Sequence, residues 1–495
     1  MKQHTILLHP LGKELVVNDK TPLTDVLHEY GVEFPCGGKG TCGKCQVRLI
    51  DGKIDANEDH RRKLEHFHLP DDRRLACMSN CTGPITLQVD QYEHIILADE
   101  TDFDFNSESG VGIAVDLGTT TLVTQLVDLT TGKVLAVETM LNPQVKFGAD
   151  LISRIQAGLD GHSQEMMLLI RKSIGRMIRL MLKSCQQLPG KVVLVGNTVM
   201  HRIFSGSDLT PLSCYPFEVE DLGLSEYTPA KLGWDFLSNT NIQFYPSIGS
   251  FVGSDILAGI AATGLHRKEH YTALIDLGTN GEIVVGNSDK IICTSTAAGP
   301  AFEGSNLSMG MRAVTGAISS IQLVNNKMIP SVIGNTPPKG ICGSALIDAI
   351  AILLQQDLIG IFGEINSGEE SISIHGPIRL TQKDIYEFLL AKAAIAAGIT
   401  ILSKNLSIEI SDIHEIYIAG GFGNYIRIEH LLATGMVETT EDKIHKMGNT
   451  ALIGAKMFLF GNGELAKEIL GKTSHVNLEG FPEFQDIYIS KMILK

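Results

Sequence analysis

Two short segments, Asp116-Leu117-Gly118-Thr119-Thr120-Thr121 and Asp276-Leu277-Gly278-Thr279-Asn280-Gly281, repeat one pattern 160 residues apart, each closing an apolar run. An apolar run that stops at Asp-x-Gly-Thr reads as a buried strand turning tightly on glycine. There, backbone N–H groups and threonine hydroxyls can hold phosphate oxygens while the carboxylate faces Mg²⁺. The offset is far longer than a solenoid repeat, so the pattern predicts two similar lobes facing each other. Strands alternate with helical stretches from residue 112 onward, which predicts α/β architecture: strands at 113–116, 122–128 and 192–195, helices near 149–157 and 164–185, and the same order again from about 274. A buried helix is expected at 391–406 and a buried strand at 415–419; the segment 474–495 is too mixed to assign.

A different chemistry occupies the first part of the chain. Cys36, Cys42 and Cys45 stand among closely spaced glycines as C-x5-C-x2-C, and Cys77 follows after 31 residues. Thiolates on a tight loop, plus one from a distant strand, can hold a two-iron cluster, and glycines let backbone N–H groups approach its sulfides. A zinc ribbon would prefer two separate C-x2-C pairs, and only one occurs. Cys81, four residues after Cys77, competes as fourth ligand; the Arg74-Leu75-Ala76-Cys77 setting favours Cys77. The nine cysteines are an odd number concentrated between 36 and 81, which suits reduced, metal-ligating thiols better than disulfides. Strands at 4–18 around a Pro10-to-Lys13 turn, a short helix at 22–30, and strands at 46–50 and 85–89 complete this portion.

The 495 residues call for two to four domains, and a net charge of -15 argues against nucleic acid or an anionic membrane surface as partner. No uncharged apolar run approaches the roughly 20 residues that span a bilayer, and no secretory leader is evident at the start; a cytoplasmic protein is expected. Six acidic residues and no Lys or Arg between 93 and 110 predict a solvated linker. The expected organisation is a 2Fe-2S domain at 1–92, that linker at 93–110, and an ATPase at 111–495 with lobes at about 111–270 and 271–495.

The N-terminal elements resemble the β-grasp fold of ferredoxins, an α+β domain with the cluster in an exposed loop. The cysteine spacing is similar to the adrenodoxin-like members. The duplicated Asp-x-Gly-Thr segments resemble the two phosphate loops of the acetate kinase, sugar kinase, Hsp70 and actin superfamily (ASKHA), and no Walker-type loop occurs. That resemblance implies a duplicated-lobe α/β ATPase with ATP in the cleft. Gly118, Thr119, Thr120, Gly278, Thr279 and Asn280 would line the phosphates. Gly420, Gly421 and Gly423 would lie against the adenosine, and Asp116 and Asp276 would organise Mg²⁺ and the attacking water. Asp255 and Asn197 are second-tier candidates, with helix capping the competing role.

The union of the two modules resembles the reductive activators of corrinoid proteins. Asn142-Pro143-Gln144, Gly148 to Ile155, Gly299 to Gly304, Gly340 to Ser344 and Gly448 to Ala455 are also similar to that family. The resemblance implies an ATP-dependent reductase that passes one electron from a 2Fe-2S cluster to Co(II) on a corrinoid protein of a methyltransferase system. It regenerates Co(I), with an upstream low-potential electron donor refilling the cluster in anaerobic metabolism. Larger members carry a further domain before the ATPase that takes part in dimer formation. Here residues 93–110 stand in that place, which leaves a homodimer open. Competing readings are an ATP-dependent donor to another low-potential enzyme, such as 2-hydroxyacyl-CoA dehydratase activators serve, a redox-sensing ATPase regulator, and a small-molecule kinase.

Overall fold

The computed structural model describes the chain except residues 1, 10–12, 28, 29, 31, 33, 35–37, 39, 42, 44, 68, 90–102, 104, 186, 279, 297, 305, 306 and 421–424. Its first unit is a mixed sheet of β1 (Gln3–His9), β2 (Lys13–Asn18), β3 (Gln46–Gly52), β4 (Arg73–Leu75) and β5 (Ile85–Gln88), in the order β2-β1-β5-β3-β4. β1 and β5 run parallel and the other neighbours antiparallel. The alternation Ile6, Leu8 in β1 and Ile85, Leu87 in β5 puts one face of the sheet into a core closed by Leu23, Leu27, Phe34, Val47 and Leu75. The expected helix at 22–30 is a single turn at Thr24–Leu27 among the described residues. A second helix, α1 (Glu58–His66), was not foreseen; Asn57 caps it, and its His60 is buried with Nε2 accepting from the Leu75 N–H at 3.1 Å.

Both remaining units repeat one five-stranded topology and add a sixth strand at different edges. In the first lobe, β6 (Val111–Leu117), β7 (Thr121–Asp128), β8 (Val134–Leu141), β9 (Lys191–Val195), β10 (Ser225–Tyr227) and β11 (Asn241–Phe244) are ordered β8-β7-β6-β9-β11-β10. In the second, β12 (Thr272–Leu277), β13 (Gly281–Gly286), β14 (Ile291–Thr296), β15 (Glu415–Ala419), β16 (Ile444–Gly448) and β17 (Thr473–His475) are ordered β16-β15-β12-β13-β14-β17. Each lobe thus has three antiparallel strands followed by two added in parallel. The central strands β6 and β12, buried on both faces, are nearly all apolar, as parallel pairing under helices requires.

The outer faces of the sheets are covered separately. α2 (Ser163–Met181) closes a first-lobe core with Phe204 and Trp234, while α4 (Gly343–Gln355) and α5 (Gln382–Asn405) close the second. α5 has the length and composition of a membrane span, with mean hydropathy 1.7 over its most apolar 18 residues although Lys392 interrupts it, and 78% of that stretch is packed inside the lobe. Between the lobes lie α3 (Ser254–Thr263), which follows β11, and α6 (Thr450–Met457), which follows β16. They share one core that draws Ala114, Val193 and Tyr245 from the first lobe and Leu274, Ala419 and Leu452 from the second. Their crossing depends on two glycines: a Cβ on Gly454 would stand 2.0 Å from the Ala258 carbonyl oxygen, and one on Gly259 would stand 2.8 Å from Leu274 and 3.2 Å from the Thr450 hydroxyl.

Residues 103–110, expected within a solvated linker, are a docked segment where they are described. Phe103 and Phe105 pack on the ATPase body, and Glu108 Oε2 accepts from Lys191 Nζ at 2.7 Å. Aromatic side chains two apart explain the departure, since charge counting alone does not register them. Residues 90–102 and 104 lie outside the described residues.

Candidate functional site

The pseudo-symmetry puts the two signature aspartates at equivalent places, each as the next-to-last residue of its central strand. Asp116 is in register with Val195 on the parallel neighbour and Val123 on the antiparallel one; Asp276 is in register with Ala419 and Glu282. The turn after each strand is closed by its own backbone, Gly118 N–H donating to the Thr121 carbonyl at 3.1 Å and Gly278 N–H to that of Asn280 at 3.0 Å. A Cβ at Gly118 would meet the Thr121 oxygen at 2.6 Å, so this turn requires glycine.

Each aspartate is met by a residue from the opposite lobe, at the start of the helix that crosses between them. Asn449, the N-cap of α6, donates Nδ2–H to Asp116 Oδ2 at 2.8 Å while its Oδ1 accepts from the Leu452 N–H at 2.9 Å. Asp255, in the first turn of α3, is buried and feels the charge of Asp276. Desolvation pushes the Asp116 carboxyl up to about 6 against the opposing Asn449 hydrogen bond, and it pushes Asp276 to about 7 with repulsion from Asp116 adding to it. Asp255 rises to about 7 by desolvation and by the charges of Asp276 and Asp116. Glu282, buried and directly across the ladder from Asp276, is raised well above the usual carboxylate range by desolvation and by Asp255 and Asp276.

Four carboxyls gathered with few donors fit a site completed by a cation. Among the described residues no three His, Cys, Asp or Glu side chains form a ready-made metal cage.

The first phosphate loop is braced from below. Asn142 donates to the Gly118 carbonyl at 2.9 Å, Asn197 donates to Thr119 Oγ1 at 2.9 Å, and the buried Arg154 donates Nη2–H to the Thr119 carbonyl at 2.6 Å. Arg154 is itself fixed by the Gly148 carbonyl at 3.0 Å. These bonds fix the loop's carbonyls and with them the orientation of its backbone. Asn197 also caps the helix Thr198–Ser205, the structural role weighed for it. On the second lobe, Gly420 adopts φ +102 and packs where a Cβ would be 2.3 Å from the Leu277 oxygen. Gly420 therefore abuts the second phosphate turn; Thr279, Gly421 and Gly423 lie outside the described residues.

In the N-terminal unit, the β3–β4 pairing and the turn Ala76–Met78 bring Cys45 and Cys77 together, with sulfurs 3.2 Å apart. That is far from the about 2.05 Å of a disulfide and near the about 3.8 Å between two vertices of a metal tetrahedron with about 2.3 Å bonds. Cys81 turns away: it is buried, pairs with Thr21 in a short bridge, and donates to the Gly83 carbonyl at 3.3 Å. Gly40 and Gly43, at φ +67 and +66, give the loop the left-handed turns a cluster cradle needs. Cys36 and Cys42 lie outside the described residues.

Sequence reasoning gave no role to Asn449, Arg154 and Asn142, although each sat in a segment it singled out, and it overlooked Glu282. A lone acid in the otherwise apolar Gly281-Glu282-Ile283-Val284-Val285 was the available signal.

Residues 7–82 match the model of the 2Fe-2S iron-sulfur cluster binding domain, 111–268 the RACo middle region, and 270–495 the C-terminal ASKHA domain of RACo. The corrinoid activation enzyme RamQ of Eubacterium limosum is 31% identical, over 98% of this chain and 98% of its own length. The chain belongs to the reductive activators of corrinoid proteins. Another relative, the [Co(II) methylated amine-specific corrinoid protein] reductase of Methanosarcina barkeri, is 28% identical over 77% of this chain and 76% of its own. The solved reductive activator for corrinoid,iron-sulfur protein superposes with TM-score 0.70 at 26% identity, covering 99% of this chain and 98% of that one. Within these activators the region called middle corresponds here to the complete first lobe, β6 to α3, with its own phosphate turn. This activator thus has both an iron-sulfur domain and an ASKHA fold on one chain.

Proposed function

We propose that this activator is an ATP-dependent reductase that delivers one electron to the Co(II) corrinoid of a partner methyltransferase component, giving Co(I). The observation that carries the reading is the union, on a chain aligned end to end with a corrinoid activation enzyme, of a convergent cysteine pair and a two-lobed carboxylate site. A 2Fe-2S cluster held by Cys36, Cys42, Cys45 and Cys77 supplies a one-electron reductant. Centres of the plant type sit near roughly -400 mV, and each 59 mV of one-electron deficit costs about 1.4 kcal/mol, which ATP turnover can offset.

In this reading Gly118, Thr119, Thr120, Gly278, Thr279 and Asn280 receive the phosphates, and Gly420, Gly421 and Gly423 border the adenosine. Asp116 and Asp276 hold Mg²⁺ and orient the water that attacks the terminal phosphate, while ATP and water become ADP and phosphate. A cation held there would offset the charge that develops on the phosphates. An upstream low-potential donor restores the electron, the setting is cytoplasmic, and the domain limits are 1–92, 93–110 and 111–495.

The test is to mix dithionite-reduced protein, freed of excess reductant, with Co(II) corrinoid proteins and follow Co(I) absorbance with and without MgATP. Stoichiometric Co(I) that requires MgATP is expected. Equal Co(I) with and without nucleotide would remove ATP from the function.

A further inference from the structure

The helix α6 has a different contact at each end. Its N-cap, Asn449, reaches Asp116 across the lobes at 2.8 Å. Its other end and the turn that follows form the seat of the segment leading from the cluster domain. Lys456 stands over the Phe103 ring at 5.3 Å, and the Phe460 ring lies 5.7 Å from Phe103 and 4.5 Å from Phe105. Glu108 is pinned to the same turn: Lys191 donates both to Glu108 and to the Leu459 carbonyl at 3.1 Å, and the Gly461 N–H points to Glu108 Oε1 at 3.4 Å. Gly132, at φ +71, is the floor under Phe105, where a Cβ would stand 2.7 Å from the ring.

Eight residues of helix separate these two contacts, a span of about 12 Å. The helix is a stiff piece: it is buried from Thr450 to Lys456, and past its end Phe458 stacks on Tyr245 at 4.5 Å while its carbonyl accepts from the Tyr245 hydroxyl at 3.1 Å. A packed two-turn helix moves as a body, so a displacement at Asn449 appears at Phe460.

We infer that α6 couples the nucleotide site to the cluster domain: Asn449 is a positioning residue for Asp116, and the aromatic seat of Phe103 and Phe105 transmits its state to the tether. The Asn449 amide occupies one Asp116 oxygen and leaves the other free for a cation. Loss or gain of a ligand there changes the balance of contacts that holds α6 against the first lobe, and with it the seat of Phe103 and Phe105. This inference rests on the proposed ATP site, and the test below separates the two.

Hydrogen exchange of residues 103–110 is measured on the intact, cluster-loaded protein, alone and with MgATP or MgADP. The expected result is a nucleotide-dependent change of at least about five-fold in the wild type, absent in Asn449→Ala. In parallel, Phe105→Ala and, as a milder variant, Phe460→Leu are compared with the wild type. Both should hydrolyse ATP within about two-fold of the wild type and remain reducible by dithionite, yet lose ATP stimulation of Co(I) formation by about ten-fold. Unchanged exchange at 103–110 on adding nucleotide, or full ATP stimulation in both seat variants, overturns the inference. If the wild type forms no Co(I) with any corrinoid protein, the functional reading fails instead, and the exchange experiment still decides the coupling.

Discussion

Replacing Gly454 by alanine is a small change in sequence that the helix crossing cannot absorb. The added Cβ would lie 2.0 Å from the Ala258 oxygen, 2.4 Å from its carbonyl carbon and 2.5 Å from its Cα, whereas ordinary contact begins at 3.4 Å. All three atoms are backbone, so no rotamer relieves the clash, and α6 must retreat from α3 by about 1.4 Å. Overpacking of this kind costs about 1–3 kcal/mol. The same retreat stretches the 2.8 Å contact between Asn449 and Asp116 beyond hydrogen-bonding distance, which removes a further interaction of about 1.5–3 kcal/mol. A displacement near 1 Å in the catalytic geometry lowers turnover by about 100-fold. We therefore expect Gly454→Ala to melt several degrees below the wild type and to hydrolyse ATP about 100-fold more slowly, with dithionite reduction of the cluster unaltered. Gly471, in the last turns of the helix Glu464–Lys472, is the matched control, because a Cβ there meets nothing within 4 Å. Gly471→Ala should be neutral or stabilising by about 0.5–1 kcal/mol. Equal melting temperatures and equal turnover for Gly454→Ala and the wild type would refute the claim that the two lobes are registered through this crossing.

Three other perturbations follow from the geometry. Cys77→Ser should lower bound iron and bleach the two-iron absorption, whereas Cys81→Ser, whose sulfur faces the Gly83 carbonyl, should retain full iron by colorimetric assay; full iron in both would leave Cys77 outside the ligand set. Arg154→Lys cannot span the Gly148 and Thr119 carbonyls with one planar fork, so the KM for ATP should rise by about ten-fold or more; an unchanged KM would show that the loop needs no such brace. Without Mg²⁺ and nucleotide, Asp116, Asp255 and Asp276 bind more protons folded than unfolded between about pH 4 and 7, because their carboxyls are pushed up to about 6, 7 and 7. Stability from these groups is complete below about pH 4 and is lost as the pH rises through 6 to 7. Melting temperature should therefore fall across that window, less steeply in Asp276→Asn, and MgATP should reverse the fall; a flat wild-type profile would contradict the desolvation of the cluster.

Much of the framework was legible because it rests on periodicity and local turn chemistry. Strands at 113–116, 192–195 and 415–419 stood out as continuous apolar runs, and each phosphate turn was marked by a glycine that has no substitute at Gly118. α1, at Glu58–His66, was hidden because its polar face dominates: only His60 is fully buried, and Leu64 alone adds an apolar contact to the core. The docking of Phe103 and Phe105 was hidden by the acids around them. Glu282 escaped notice because its importance comes from standing opposite Asp276 across a ladder, and register is a relation between strands.

By itself, the amino-acid order determined the kinds of chemistry available: a thiolate loop rich in glycine, and two strand ends shaped for phosphate, each encoded within a dozen neighbouring residues. Which amide crosses to Asp116 and which helix stands between the two aspartate-bearing lobes were settled only by tertiary structure. The reason is distance along the chain: Asn449 and Asp116 are brought together by the packing of two lobes, and no local preference can encode a contact that exists only when both have folded.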